Sequence, residues 1–229
     1  LSYFCVGIPF GMCGEYRRSH LPYADYCTNP VVQKTAVGQI IKKECNIKNK
    51  NKSDNMENDF LKVIETRRSC RKYKPEQITD EELKAVLEAG TYAPTSRGMQ
   101  SPYIVAVQKK EVLARLAKMN AEIMGVTSNP YYDAPTYVLV FAPSLANNPV
   151  QDGSCVLENM MLAAHALGLG SCWIHREREM FATEEGKQLM EEWGLPEGLM
   201  GIGALSLGYP DGESAPAKPR KPEYFRVIK

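Results

Sequence analysis

The chain has 229 residues, and its 28 Lys and Arg nearly cancel its 27 Asp and Glu, leaving a formal net charge of +1. That balance argues against a dedicated nucleic-acid binder, while 44% hydrophobic and 24% charged residues are ordinary for a globular protein with one substantial core. No apolar run approaches the roughly 20 residues that span a bilayer, and the opening residues lack the charged, apolar and small-residue order of a secretory signal, so neither a membrane nor a nucleic-acid partner is expected.

From Leu1 to Asn55 there is no hydrophobic periodicity, and "KKECNIKNKNKSDN" (Lys42 to Asn55) has the polar composition of a disordered linker. Cys5, Cys13, Cys27 and Cys45 have neither iron–sulfur nor zinc spacing. The seven cysteines of the chain form no Cys-x-x-Cys pair, so reduced thiols in a cytoplasmic protein are the expectation. The chain opens on Leu1, and Met56 begins the first patterned segment. Residues 1–55 are therefore read as an irregular or disordered extension, or as sequence outside the natural reading frame, and residues 56–229 as the folded domain.

In that domain "RRSCRKYKP" (Arg67 to Pro75) places five cations within eight residues, with Arg67, Arg68 and Arg71 expected at the end of a first helix. Thr79 and Glu82 form a capping box for a second helix, whose Leu83, Val86, Leu87 and Gly90 recur at helical spacing. It stops in "APTSRGMQSP", which two prolines and a glycine break. "YIVAVQ" (Tyr103 to Gln108) reads as a strand, followed by a helix with Val112, Leu113, Leu116, Met119 and Ile123 on one face. "TYVLVFA" (Thr136 to Ala142) is continuously apolar, as in a strand buried on both faces. "GSCVLENMMLAAHALGLG" reads as a helix apolar nearly all round, belonging in the interior or an interface, and "SCWI" and "MGIGALSLGYP" add two short strands. The expected fold class is α+β, a three-layer α/β sandwich with a central sheet between helices.

Several chemistries have no support. "GIGALSLG" (Gly201 to Gly208) lacks the following helix and downstream acid of a dinucleotide fingerprint, so its glycines read as strand positions where a ligand or neighbouring chain approaches closely. There is no GxSxG elbow and no HExxH pair. His165 reads as a satisfied core histidine, and His175, after "SCWI", is the histidine placed near a site. Cys172 reads as a buried structural thiol. The basic run has two readings, a solvated charged face or an anion site. Arginines with Ser69 suit an anion of several oxygens, because guanidinium gives bidentate, charge-assisted bonds to phosphate. A second basic group, Lys218, Arg220 and Lys221, stands near the C-terminus and suits the same anion.

These pieces, taken in order, resemble the nitroreductase family of flavin enzymes over Met56 to Lys229. "ETRRSCRKYKPEQITDEELKAVLEAG" is similar to the family's first helix, Arg-x-Ser-x-Arg/Lys element and second helix. "YAPTSRGMQSP" resembles its Ala-Pro-Ser-x-x-Asn-x-Gln-Pro loop, "NMMLAAHALGLGSCWI" its central helix and Gly-Leu-Gly-x-x-Trp strand, and "LGYP…KPRKP" its terminal tail. The resemblance implies a dimeric fold with a mixed, mainly antiparallel sheet, an FMN held at a homodimer interface, and ping-pong hydride transfer from NAD(P)H through flavin N5 to a nitroaromatic, quinone or similar small-molecule acceptor. It also implies that Arg67 and Ser69 meet the phosphate and ribityl hydroxyls with Arg68 beside them, and that Arg71 faces the flavin N1 and C2 carbonyl. Pro94, Thr95, Ser96, Gly98 and Gln100 come from the partner chain, Cys172, Trp173 and Ile174 offer backbone groups around the ring, and Lys218 and Arg220 close on the phosphate. The chain departs from the family in having Gly98 where Asn is common, Ser101 between Gln100 and Pro102, and His175 where Gly is common. Those departures bear on the acceptor. A reductive dehalogenase or flavin-cleaving enzyme of the same fold, or a non-enzymatic anion-binding module, are the other readings.

Overall fold

The structure, a computed structural model, describes residues 58–229. The expected extension, residues 1–55, lies outside the described residues. Helices α1 (Asp59–Thr66) and α2 (Asp80–Thr91) precede strand β1 (Tyr103–Val107). Helix α3 (Lys110–Met124) leads to β2 (Thr136–Pro143), and α4 (Pro149–Ala166) to β3 (Gly170–Ile174). Two short helices, α5 (Glu177–Met180) and α6 (Glu184–Glu192), lead to β4 (Leu199–Gly208). The strands form one sheet in the order β1-β2-β4-β3, every named pair antiparallel. Its mixed character comes from an isolated parallel bridge between Ser69 and Ser171 at the β3 edge.

Strand alternation divides the core into two layers. Tyr137, Leu139 and Phe141 of β2 join Leu113, Leu116 and Met119 of α3 and Leu189 of α6 on one face. Val138 and Val140 join Val86 of α2 and Val156, Leu157 and Met160 of α4 on the other. β2 is thus apolar on both faces because both are covered, as its unbroken run predicts. The second helix begins where its capping box puts it: the Glu82 N–H donates to the Thr79 hydroxyl at 3.2 Å, and the Thr79 N–H to Glu82 Oε2 at 2.9 Å. Ile123, expected on the buried face of α3, is 40% exposed, because that face ends at Asn120.

Three expectations change. The arginine run does not end a helix. α1 stops at Thr66, and the following segment is extended because its backbone bonds elsewhere, the Cys70 N–H to the Ser171 carbonyl at 2.9 Å and the Lys74 N–H to the Tyr209 carbonyl at 2.9 Å. α4 starts earlier than its apolar run, at Pro149, whose fixed φ and missing N–H suit the first helical position. The β4 glycines are crowded by this chain itself rather than left open for a ligand or neighbour. A Cβ on Gly201 would strike the Glu177 carbonyl, and one on Gly203 would lie 2.7 Å from Trp173 Nε1.

Candidate functional site

Segment 67–74 is stitched to the sheet at two places, to β3 through Ser69 and Cys70 and to the exit of β4 through Tyr73, which bridges Pro210. An ion pair between Lys72 and Asp211 at 2.6 Å adds to the second seam. The segment thereby runs beside β3 through isolated bridges rather than as a strand of the sheet, with Cys70 buried and Ser69 and Arg71 exposed.

The structure brings Arg67, Ser69 and Arg71 together around Cys172. Burial pushes the Cys172 thiol up, and the Arg71 charge, a hydrogen bond from Ser69 and the Arg67 charge all oppose that rise. Arg71 Nε donates to the Tyr132 hydroxyl at 3.3 Å, and its guanidinium carbon lies 5.8 Å from the Tyr132 ring centroid. That hydrogen bond is the main reason the Arg71 pKa is raised. Tyr132 and Asp133 are both left-handed, with φ of 57° and 53°, a costly backbone that presents the phenol to Arg71.

Among the described residues two buried nitrogens are orphaned: Arg67 Nη1 and Trp173 Nε1 have no hydrogen-bond partner there. Buried polar groups are nearly always satisfied, and guanidinium suits an anion of several oxygens, which makes Arg67 the candidate anion ligand of this cluster. Arg68 is occupied differently, its Nη1 donating to the carbonyls of Glu65 at 2.8 Å and Arg67 at 2.6 Å. His165 accompanies the cluster without being a core residue. It is half-buried with Nε2 2.8 Å from the Thr66 hydroxyl, and burial together with the Arg67 and Arg68 charges lowers its pKa.

β3 supplies the backbone. The Ser171 carbonyl accepts from Cys70 on the side away from β4, so Trp173, two residues on, presents its N–H and C=O to the same edge. Beyond Ser171 no strand pairs with that edge among the described residues. Cys172 and Ile174 sit in the α3-side core, and the Trp173 indole stacks toward His175, ring centroids 5.7 Å apart.

The other expected residues lie apart. Pro94, Thr95, Ser96, Gly98 and Gln100 form a loop around a 3-10 turn (Ser96–Gly98), tied to the start of α4 by Asp152. Lys218 and Arg220 are exposed on the tail, where Arg220 Nη2 donates to the Lys218 carbonyl at 2.8 Å, and neither side chain bonds to the 67–71 segment. Sequence reading missed Tyr132, Asp152 and Glu177, since no motif marks a lone Tyr, Asp or Glu. It also missed α6, although Thr183 before two glutamates is a cap signal and the Thr183 hydroxyl accepts from the Gly186 N–H at 3.0 Å. Among the described residues no group of His, Cys, Asp and Glu could hold a metal ion, and no helix is long and apolar enough to cross a membrane.

Residues 64–209 match the sequence model of the nitroreductase family. A protein of Archaeoglobus fulgidus named as an NADH dehydrogenase/NAD(P)H nitroreductase is 36% identical over 163 residues, covering 68% of this chain and 87% of that protein. An NADPH-flavin oxidoreductase of Vibrio harveyi is 29% identical over 187 residues, 74% of this chain and 73% of its own. A crystal structure of a nitroreductase with bound FMN from Bacteroides fragilis superposes with a TM-score of 0.69 at 31% identity, covering 75% of this chain and all of that one.

Proposed function

The chain belongs to the nitroreductase family, and from that premise we propose that it passes reducing equivalents from NAD(P)H through FMN to a small quinone or nitroaromatic acceptor. Its relatives make it an NAD(P)H-dependent flavin oxidoreductase; the acceptor is the part that chemistry must supply. The observation that carries the reading is the orphaned Arg67 Nη1 at a cationic sheet edge, which fits the phosphate of FMN. FMN, when bound, supplies the hydride-accepting and hydride-donating atom. The protein's part is to bind and orient. Arg67 and Ser69 hold the phosphate and ribityl hydroxyls, with Arg68 fixed beside them and Lys218 and Arg220 closing from the tail. Trp173 gives its backbone N–H and C=O to the rim of the ring, whereas the backbone groups of Cys172 and Ile174, expected there as well, turn inward to β4 opposite Ser206 and Ala204. Arg71, steered by Tyr132, sets a fixed cation where negative charge gathers on reduction, which favours the reduced form. A cytoplasmic location belongs to the same reading, supported by the free thiols of Cys70, Cys155 and Cys172 among the described residues. Purified protein should be yellow, release FMN on denaturation, and oxidise NAD(P)H when a quinone or nitroaromatic is added. Colourless protein that takes up no added FMN would overturn the reading.

The homodimer is part of the proposal, and geometry supports it. The arginine cluster sits at the C-terminal end of α4, where Thr66 meets His165, and the Pro94–Gln100 loop at its start, on Asp152. Asp152 and His165 are thirteen residues apart, about 20 Å at the helical rise of about 1.5 Å per residue. One chain therefore keeps its two halves apart, and a two-fold partner can bring its own loop to the cluster. α4 also stays partly uncovered: Val156, Leu157, Met160, Met161 and Ala164 are buried, but Leu162 and Ala163 are only half-buried and Leu167 is 45% exposed. On the tail Phe225 and Ile228 are 82% and 91% exposed. Sedimentation at falling concentration should show a dimer that persists to lower concentration with FMN than without. A monomer that retains FMN with undiminished affinity would refute the shared site.

A further inference from the structure

A buried carboxylate with no cation beside it needs a reason to be there. Asp152, on the first turns of α4, is 6% exposed, and no ion pair reaches it among the described residues. Its two oxygens share one donor, the backbone N–H of Ser96, at 3.0 and 3.1 Å. Asn148, just ahead of α4, adds a second tie, its Nδ2 donating to the Ser96 hydroxyl at 3.1 Å.

The loop held in this way would not keep its shape unaided. Arg97, Gly98 and Gln100 all have left-handed backbones, with φ of 55°, 65° and 50°. Two of these are not glycine, and each such residue persists only when its surroundings over-determine it. Inside the loop, the Gln100 N–H donates to the Thr95 hydroxyl at 2.9 Å and the Gly98 N–H to the Thr95 carbonyl at 2.9 Å. Those bonds close the turn on itself, whereas the bonds of Asp152 and Asn148 to Ser96 fix it to the body of the protein. Removing that anchor frees the turn to tilt with its internal bonds intact.

We infer that Asp152 is a positioning residue: it pins Ser96, sets the orientation of the Pro94–Gln100 turn, and so shapes the wall that this loop presents to flavin and acceptor. The inference rests on the reading that the loop covers the flavin of the partner copy. It concerns a residue whose carboxylate is bonded to the loop itself, at the Ser96 N–H.

The test compares wild type, Asp152→Asn, Asp152→Ala and Asn148→Ala as FMN-loaded dimers, using menadione as the acceptor. Three readouts are taken together: the FMN dissociation rate by fluorescence recovery, KM and kcat for menadione, and the melting temperature of the FMN-free protein. Asp152→Ala should release FMN or raise the menadione KM about five- to tenfold, with a smaller change in kcat. Asp152→Asn keeps one accepting oxygen and should fall between it and wild type. Asn148→Ala removes an exposed tie, so it should fold readily and shift the same readouts about twofold. If Asp152→Ala does not fold, the graded effect of Asp152→Asn and Asn148→Ala carries the test. A lowered melting temperature with FMN release and KM unchanged in all variants that fold would show a merely structural role and overturn the inference. Wild type that takes up no FMN would instead overturn the reading of the loop, and this inference with it.

Discussion

Arg67→Ala should lose FMN more readily than any other single change in the basic run. Arg67 Nη1 is buried without a partner, whereas the Arg68 guanidinium is already bonded to two carbonyls. A charge-assisted bond to phosphate contributes about 1.5–3 kcal/mol, so truncation should weaken FMN binding by roughly ten- to a hundredfold. Arg67→Lys keeps the charge but not the planar fork, and should recover only part of that loss. The FMN-free protein should be no less stable without Arg67, since an orphaned buried donor is itself a cost. Fluorescence titration of the FMN-free proteins measures all of this, with Arg68→Ala as the comparison. An Arg67→Ala affinity within twofold of wild type would show that the phosphate is bound elsewhere.

That prediction depends on a side chain whose residue type was legible in the sequence while its orientation was not. Basic residues around a serine pointed to an anion, yet the reading put them on a helix end, because Asp59–Thr66 has helical periodicity and nothing local says where it stops. The stop is set from outside, by the Ser171 carbonyl that takes the Cys70 N–H, and a partner a hundred residues away leaves no local trace. The strands and the capped second helix were readable for the opposite reason. The Thr79–Glu82 cap and the unbroken apolar run of β2 are complete within a few residues. The same distinction divides the site. Arg67, Ser69, Arg71 and Trp173 belong to recognisable segments, but Asp152, Tyr132 and Glu177 act through contacts 46 to 61 residues distant in sequence. The β4 glycines were correctly given to a strand and to close approach, but what approaches them, Glu177 and Trp173, could come only from the fold.

Glu177 should make the protein less stable as pH rises, and Glu177→Gln should abolish that trend. The side chain is fully buried at the start of α5, with Oε1 accepting from the Tyr131 hydroxyl at 2.9 Å and Oε2 without a partner among the described residues. Burial pushes its pKa up to about 7 from an ordinary 4.5, against the opposing pull of the Tyr131 hydrogen bond and the Arg176 charge. Between those two values the folded protein keeps a proton that the unfolded chain has released. Stability contributed by the protonated form is therefore complete below the lower value, declines through the interval, and is gone above about pH 7. At 1.36 kcal/mol per pKa unit the interval is worth about 3 kcal/mol. Exposed Glu82 and Asp211 shift in the opposite direction, so their influence falls at more acidic pH. His165, whose pKa is lowered, adds stability as pH rises toward 6.5 in both proteins alike, so the difference between wild type and variant isolates Glu177. Glutamine keeps an oxygen for Tyr131 and never ionises, so the variant should match wild type near pH 4.5 and exceed it by about 3 kcal/mol at pH 8. In a domain of this size that is on the order of 6–12 °C in melting temperature. Denaturant melts of both proteins at the two pH values decide it, and parallel curves would show that Glu177 titrates normally. A cost of this size, retained beside the site, has a structural counterpart. Tyr131, which holds Glu177, stacks on Tyr137 at 4.0 Å, and Asn120 ties the His175 carbonyl at 2.9 Å and Arg176 Nε at 2.7 Å. The buried polar group thus fixes the exit of β3, the strand whose open edge faces the flavin in the proposed site, and a neutral glutamine should leave that exit in place while removing the penalty.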